Sequence, residues 1–297
     1  MNVVMPDAAL LRNIPQDAFI AHRGKDVLAI RSVDANNSPR RIVFVVENGK
    51  SVNAAARKLE ASILSSVVTN GRPVDSFALL TAIGPRMDVP FGAPRETLLS
   101  AIGEASSPIK AKDQSKSVLD AVLEASGWLQ PPQPGDSIIL LTMGLKPDET
   151  SYGRLGNVLT TAGIRLFAFQ LGRFYAGTYH TGVAFAPAPG GMLLPTATVD
   201  PNSETIFNLA VETGGFSLLE NTEGAPQRKY QLTDERLQDV TQRGGQLYKG
   251  ITDYYRIRLV SPPEGFAIDL SDSVRKRFPN AQIAYPRKLP GCPRAEP

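Results

Sequence analysis

The hydrophobic pattern of this chain switches repeatedly between two periods, and that switching leaves few folds open. Ile42–Val46, Phe77–Thr81, Ile138–Thr142 and Leu166–Leu171 are almost continuously apolar, and Phe216–Leu219 is a shorter run of the same kind. Runs of this length without alternation suit strands covered on both faces, as in a parallel sheet. Between them the apolar residues return every three or four positions: Val52, Ala56, Leu59, Ile63 and Val67, then Val118, Val122, Ala125 and Leu129. That spacing is one face of an amphipathic helix. Two further helices are expected from about Asp148 to Ala162, stopped by Gly163, and from about Glu204 to Thr213, stopped by Gly214-Gly215. Strand and helix alternating in this order predict an α/β fold, a doubly wound and mostly parallel sheet flanked by helices, with right-handed crossovers.

The two ends of the chain read differently. Ala18–Val33 has the pattern of a β-hairpin turning at Gly24-Lys25-Asp26. After a helix face traced by Leu237, Val240, Leu247 and Ile251, the segments Tyr254–Val260, Phe266–Leu270 and Gln282–Tyr285 alternate with period two between proline-rich turns. The expected division is a hairpin lead-in over 1–38, an α/β domain over 39–250, and a small antiparallel β-module over 251–297. The two terminal pieces are expected to pack together, because an isolated hairpin is marginal in water. Met87–Phe91 reads as a short antiparallel edge strand, where Pro90 is tolerated. Residues 173–202 form a long excursion, poor in charge and rich in Gly, Pro, Tyr and Ala. Loops of that length in a compact domain are usually functional or disordered.

Charge and composition exclude several functions. The 32 basic and 29 acidic side chains leave a net charge of +3. Residues 251–297 hold eight basic against five acidic side chains, so the whole excess lies there. The neutral body has no basic face or stacked-aromatic motif of the kind that nucleic-acid binding requires. Arg275, Lys276 and Arg277 are expected in a solvated turn. A single cysteine, Cys292, excludes an internal disulfide and a thiolate zinc site, and with His22 and His180 as the only histidines an imidazole metal site is not expected. No run approaches the roughly 18 apolar residues of a membrane span. Met1–Ala21 lacks the basic and apolar regions of a leader, which on its own points to the cytoplasm.

Gly49-Lys50-Ser51, between the first strand and its helix, invites a nucleotide-binding reading. The phosphate loop, however, needs another glycine five residues earlier, and position 44 is Phe inside the strand. The chain resembles the von Willebrand factor A fold, most closely a bacterial VWFA-related subfamily. In those proteins a first strand ending Asp-x-Ser-x-Ser, a Thr before a later helix and a strand ending Ser-Asp-Gly hold a divalent metal with oxygen ligands. Here Glu47-Asn48-Gly49-Lys50-Ser51 lies over the first motif, Lys116 over the Thr, and Thr142-Met143-Gly144 over Ser-Asp-Gly. Leu209-Ala210-Val211-Glu212-Thr213-Gly214-Gly215 resembles the segment before the last core strand. Tyr254-Tyr255-Arg256-Ile257 and Ile30-Arg31-Ser32-Val33 are similar to the flanking strands. The likeness runs over roughly residues 15 to 290.

The resemblance implies a metal-bridged adhesion site, and the departures speak against it. Met143 offers no hard oxygen, and Lys116 places a cation beside the expected metal. Two arrangements fit: Lys116 pairs with Glu47 in place of the metal, or Lys116 faces solvent while Glu47 caps the next helix. The expected function is a non-catalytic protein-interaction or adhesion-type module with no cofactor. Its partner is an unidentified protein met by Glu47, Asn48, Gly49, Ser51, Lys116 and Met143, or by Tyr175, Tyr179 and Phe185 of the excursion. Two alternatives remain open: a weak magnesium site rebuilt from Glu47, Ser51 and Asp148, and a nucleotide hydrolase using Gly49-Lys50-Ser51. No Gly-x-Ser-x-Gly elbow is present, and a triad would have to use His22 or His180. The resemblance implies export and the amino terminus does not, so the compartment stays open, as does the oligomeric state.

Overall fold

The computed structural model describes residues 1–5, 10–35, 38–49, 52–83, 87–105, 117–144, 152–172, 183–184, 201–221, 232–260 and 265–286. Short strands β1 (Asn2–Val4), β2 (Phe19–Arg23), β3 (Asp26–Leu28) and β4 (Ile30–Ala35) lead into β5 (Arg41–Glu47) and helix α1 (Ala54–Asn70). Then follow β6 (Ser76–Ala82), α2 (Arg95–Ala105), α3 (Val118–Trp128), β7 (Ser137–Thr142), α4 (Tyr152–Ala162), β8 (Arg165–Gly172) and β9 (Val183–Ala184). The chain continues through α5 (Pro201–Glu212), β10 (Ser217–Asn221) and α6 (Asp234–Thr252) to β11 (Tyr255–Leu259), β12 (Ala267–Leu270), α7 (Asp272–Arg277) and β13 (Gln282–Ala284).

The central sheet has the order β6-β5-β7-β8-β10-β9, parallel throughout except at β9. Its strands are apolar without interruption because each face meets its own helices. Ile42, Phe44 and Val46 of β5 pack with α1, α2 and α6, while Val43 and Val45 point the other way toward α3, α4 and α5. Each such fully buried side chain contributes roughly 1.5–3 kcal/mol. Helix α1 starts at Asn53, whose side chain accepts from Ala56 N, and α3 starts at Ser117 in the same way. Gly163, with φ +67°, ends α4 in the left-handed conformation that glycine tolerates.

Several expectations need correction. The lead-in hairpin is shorter than 18–33: β2 and β3 pair across Gly24, but β4 leaves them to pair with β11. Met87–Phe91 supplies a single antiparallel bridge, Leu79 to Val89, instead of a strand. Arg275, Lys276 and Arg277 lie in α7, where Asp272 at the start and three basic residues at the end both suit the helix dipole. Helix α2 had no expected counterpart, although Leu98, Ile102 and Ala105 are spaced to bury one face.

Strands from opposite ends of the chain pair with one another: β1 with β13, β2 with β12 and β4 with β11. They enclose a separate cluster that includes Val3, Phe19, Ala21, Leu270 and Tyr285. Among the described residues no helix is long and apolar enough to cross a membrane.

Helix α6 crosses α1 at a glycine. A Cβ on Gly244 would sit 2.6 Å from Ile63 Cγ2, whereas one on Gly245 would meet nothing within 4 Å. Gly244→Val is therefore expected to cost about 1–3 kcal/mol through overpacking. Gly245→Ala should stabilise by up to about 1 kcal/mol through helix propensity. Urea unfolding of the two variants checks the contrast, since equal effects would place the crossing elsewhere.

Candidate functional site

Open α/β sheets collect ligands beyond the carboxyl ends of their strands. At that edge β5, β6 and β7 end side by side at Glu47, Ala82 and Thr142. Parallel register brings Val46 level with Leu141, so the side chains that follow meet directly. Glu47 is 4% exposed, and its Oε2 accepts from Thr142 Oγ1 at 2.7 Å and from Met143 N at 2.8 Å. Its carboxylate thus ties two neighbouring strand ends together. It does not cap α1, a task that Asn53 performs.

The β5–α1 turn is equally closed. Asn48 is 1% exposed; its N–H donates to Ala82 O at 2.9 Å, and its Nδ2 contacts Met87 Sδ at 3.6 Å. Asn48 Oδ1 accepts from Arg57 Nη1, and Gly49 O accepts from Arg57 Nη2 at 2.5 Å. On β6, Thr81 N donates to Asp88 Oδ1 at 3.0 Å and Thr81 Oγ1 accepts from Met87 N at 2.8 Å, which pins the next loop. Ile83 there has φ +46°. A β-branched residue in that region costs on the order of 1–3 kcal/mol, and such strain gathers at functional sites.

Charge beneath this surface is unusual. Glu60 of α1 is 4% exposed, and its Oε1 has no hydrogen-bond partner among the described residues. Burial pushes its carboxyl well above the usual range; the charge of Glu47 pushes it further, and Arg57 opposes both. These surroundings favour the neutral form of the acid beside the strand ends.

Of the residues expected here, the structure brings Glu47, Asn48, Gly49 and Met143 together. Ser51, Lys116, Lys50 and Asp148 lie outside the described residues, as do Tyr175, Tyr179, Phe185, His180 and Cys292. The pairing of Lys116 with Glu47 therefore stays an expectation. Arg57 and Glu60 had no place in the sequence reading. Their only signal was an Arg and a Glu beside the apolar stripe of α1, a pattern shared by many exposed helices. Among the described residues no group of three or more His, Cys, Asp and Glu side chains is placed to hold a metal ion.

The five parallel strands in the order β6-β5-β7-β8-β10, with helices on both faces and the Glu47–Gly49 and Thr142–Gly144 segments at neighbouring strand ends, define a von Willebrand factor A-like fold. No family model and no curated protein matches the sequence. Among solved structures the chain is similar to the BatB protein of Bacteroides thetaiotaomicron, at 14% identity over 70% of this chain and 98% of that one, with a TM-score of 0.46. An aerotolerance-related membrane protein from Bacteroides fragilis, carrying multiple mutations to serine, is similar at 15% identity over 69% and 98%, with a TM-score of 0.44. A von Willebrand factor type A protein from Catenulispora acidiphila is 10% identical over 84% of this chain and 50% of that one, with a TM-score of 0.46.

Proposed function

We propose that this chain is a non-catalytic protein-interaction or adhesion-type module that meets its partner without a bridging metal. The observation that carries the reading is Glu47, the one residue of its motif still able to offer a carboxylate. Its Oε2 is directed at Thr142 Oγ1 and Met143 N. A hard cation needs several oxygen ligands, and the neighbouring strand end supplies the thioether of Met143 in place of a carboxylate. A nucleotide reading is disfavoured on similar grounds. Gly49 O is turned toward Arg57 and Val52 N, and that turn ends in an ordinary Asn53 helix cap. The contact surface in this reading is either the top loops or the excursion 173–202. In the same reading the terminal pieces, set at 1–38 and 251–297, act as one unit beside the α/β domain 39–250, a division supported by the pairing of β1 with β13, β2 with β12 and β4 with β11.

Calorimetric titration of the whole protein with magnesium and manganese is expected to give no saturable heat at millimolar concentration. ATP and GTP are expected to leave the melting temperature unchanged. Saturable cation binding that is lost in Glu47→Gln would restore the magnesium alternative. A nucleotide-dependent shift would restore the hydrolase. Partner capture by the full chain, weakened by replacing 173–202 with a short glycine-serine linker, would assign the excursion to the contact; unchanged capture would assign it to the top loops.

A further inference from the structure

The turn joining β5 to α1 is the part of the fold that the family resemblance would wrap around a divalent cation. In this chain the oxygens of that turn surround a different cation. Arg57 lies in the first turn of α1 and is only 5% exposed. Its Nη1 donates to Asn48 Oδ1 and, at 3.5 Å, to Ala105 O. Its Nη2 donates to Gly49 O at 2.5 Å, and its Nε donates to Val52 O at 3.2 Å. Every one of these acceptors is a neutral oxygen, and no carboxylate hydrogen-bonds to the guanidinium among the described residues. A buried charge without an ion-pair partner is costly unless hydrogen bonds replace its hydration. Here four oxygens do so, three of them from Asn48, Gly49 and Val52. Oxygens of this type suit a hard cation, but four fall short of the six or more it takes, and each accepts from an N–H of the guanidinium fork.

The electrostatics agree with that placement. Glu47 and Glu60 both lie within the field of this region, and Arg57 supplies the opposing positive charge. Gly49 lies over the first serine of the family's motif in the resemblance, and its carbonyl accepts from the guanidinium.

We infer that Arg57 is the resident cation of the β5–α1 turn, doing permanently the ordering that a bound metal does reversibly in the family the chain resembles. The turn is then set when the protein folds. Neither chelators nor divalent ions can switch it. Arg57 is a positioning residue: at 5% exposure it does not reach a partner, but it fixes the backbone that faces one. The inference rests on the metal-free reading of this surface and goes beyond it by naming the group responsible.

Chemical rescue of the full-length protein tests the inference. Arg57→Ala is expected to lower the melting temperature by about 6–10 °C, as for removal of a buried charge from its hydrogen bonds. Methylguanidinium at about 10 mM, roughly tenfold above the millimolar Kd expected for so small an ion, should recover about 3 °C of that loss in the variant. The wild type should not respond. Arg57→Lys, which keeps the charge but loses the fork, should lie between the two and not respond either. If Arg57→Ala does not fold in buffer, refolding with and without methylguanidinium gives the same readout as a recovered folded fraction. Loss of stability without rescue, or equal stabilisation of wild type and variant, would overturn the inference. Saturable magnesium binding by the wild type, with rescue of Arg57→Ala intact, would overturn only the metal-free reading.

Discussion

Arg165→Met is expected to lower the stability of the protein by about 3–5 kcal/mol, the loss typical of removing one partner from a buried charged network. Arg165 opens β8 at the end of the sheet opposite the candidate site and is 5% exposed. Its Nη1 donates to Asn2 Oδ1 at 3.2 Å and to Gly250 O at 3.1 Å, and its Nη2 donates to Ile251 O at 2.9 Å. Gly250 and Ile251 belong to the last turn of α6, whose carbonyls have no partner within the helix. The guanidinium also lies 4.1 Å from the centre of the Tyr254 ring, which Arg40 approaches at 4.9 Å. Burial lowers the Arg165 pKa to about 10; Tyr254 acts to raise it and Arg40 to lower it further. This one side chain therefore joins the sheet, the carboxyl end of α6 and β1 of the terminal β-unit. Methionine leaves two buried oxygens, Asn2 Oδ1 and Gly250 O, without a donor, each at a cost of roughly 1–3 kcal/mol before relaxation, while Ile251 O keeps only the long bond from Arg40 Nε at 3.4 Å. Urea denaturation monitored by circular dichroism measures the loss. A change below about 1 kcal/mol, the size of an ordinary surface substitution, would show that the network does not hold the two parts together.

Glu60→Gln is expected to act in the opposite direction and only in one range of pH. The folded-state pKa of Glu60 is raised well above 4.5, first by burial and then by Glu47. The folded protein thus keeps a proton that the unfolded chain loses near its ordinary pKa. Stability from this group is complete below about pH 4.5 and falls as pH rises toward the folded value, because the folded state binds more protons. Glutamine is isosteric and cannot ionise. Relative to the wild type, the variant should gain nothing at pH 4 and roughly 1–3 kcal/mol at pH 8, the scale of a buried polar group without a partner. Melting curves across pH 4–8 give the comparison. A difference independent of pH would mean that Glu60 is ionised in the folded protein.

The two predictions concern residues that sequence alone had no means to single out. The apolar stripe of α1, Val52, Ala56, Leu59, Ile63 and Val67, is legible because each residue follows the last by three or four positions. Arg57 and Glu60 sit one residue to the side of that stripe and would face water on an isolated helix. They are buried because α1 is also flanked by α2 and α6, distant in sequence and brought alongside only by the crossovers of the sheet. Arg165 similarly reads as a polar residue opening a strand. Its burial depends on the return of α6 and of the amino terminus to that end of the sheet.

At the candidate site the division is finer. That a methionine, and no carboxylate, follows Thr142 is plain from residue order. That Glu47 bonds to Thr142 and the Met143 N–H follows from register between parallel strands, which sequence spacing does not specify. The lead-in hairpin shows the same limit. Its turn at Gly24 was legible, but β4 pairs with β11, more than 200 residues away, in preference to its neighbour.

By itself, then, the sequence determined the five parallel strands, the faces of the main helices and the chemical types at the tips of the sheet, because hydrophobic period and residue identity are local properties. Only the tertiary structure decided which charges are buried and what they touch. Arg57, Glu60 and Arg165 acquire their roles from desolvation, and the groups that desolvate them come from elements far away along the chain.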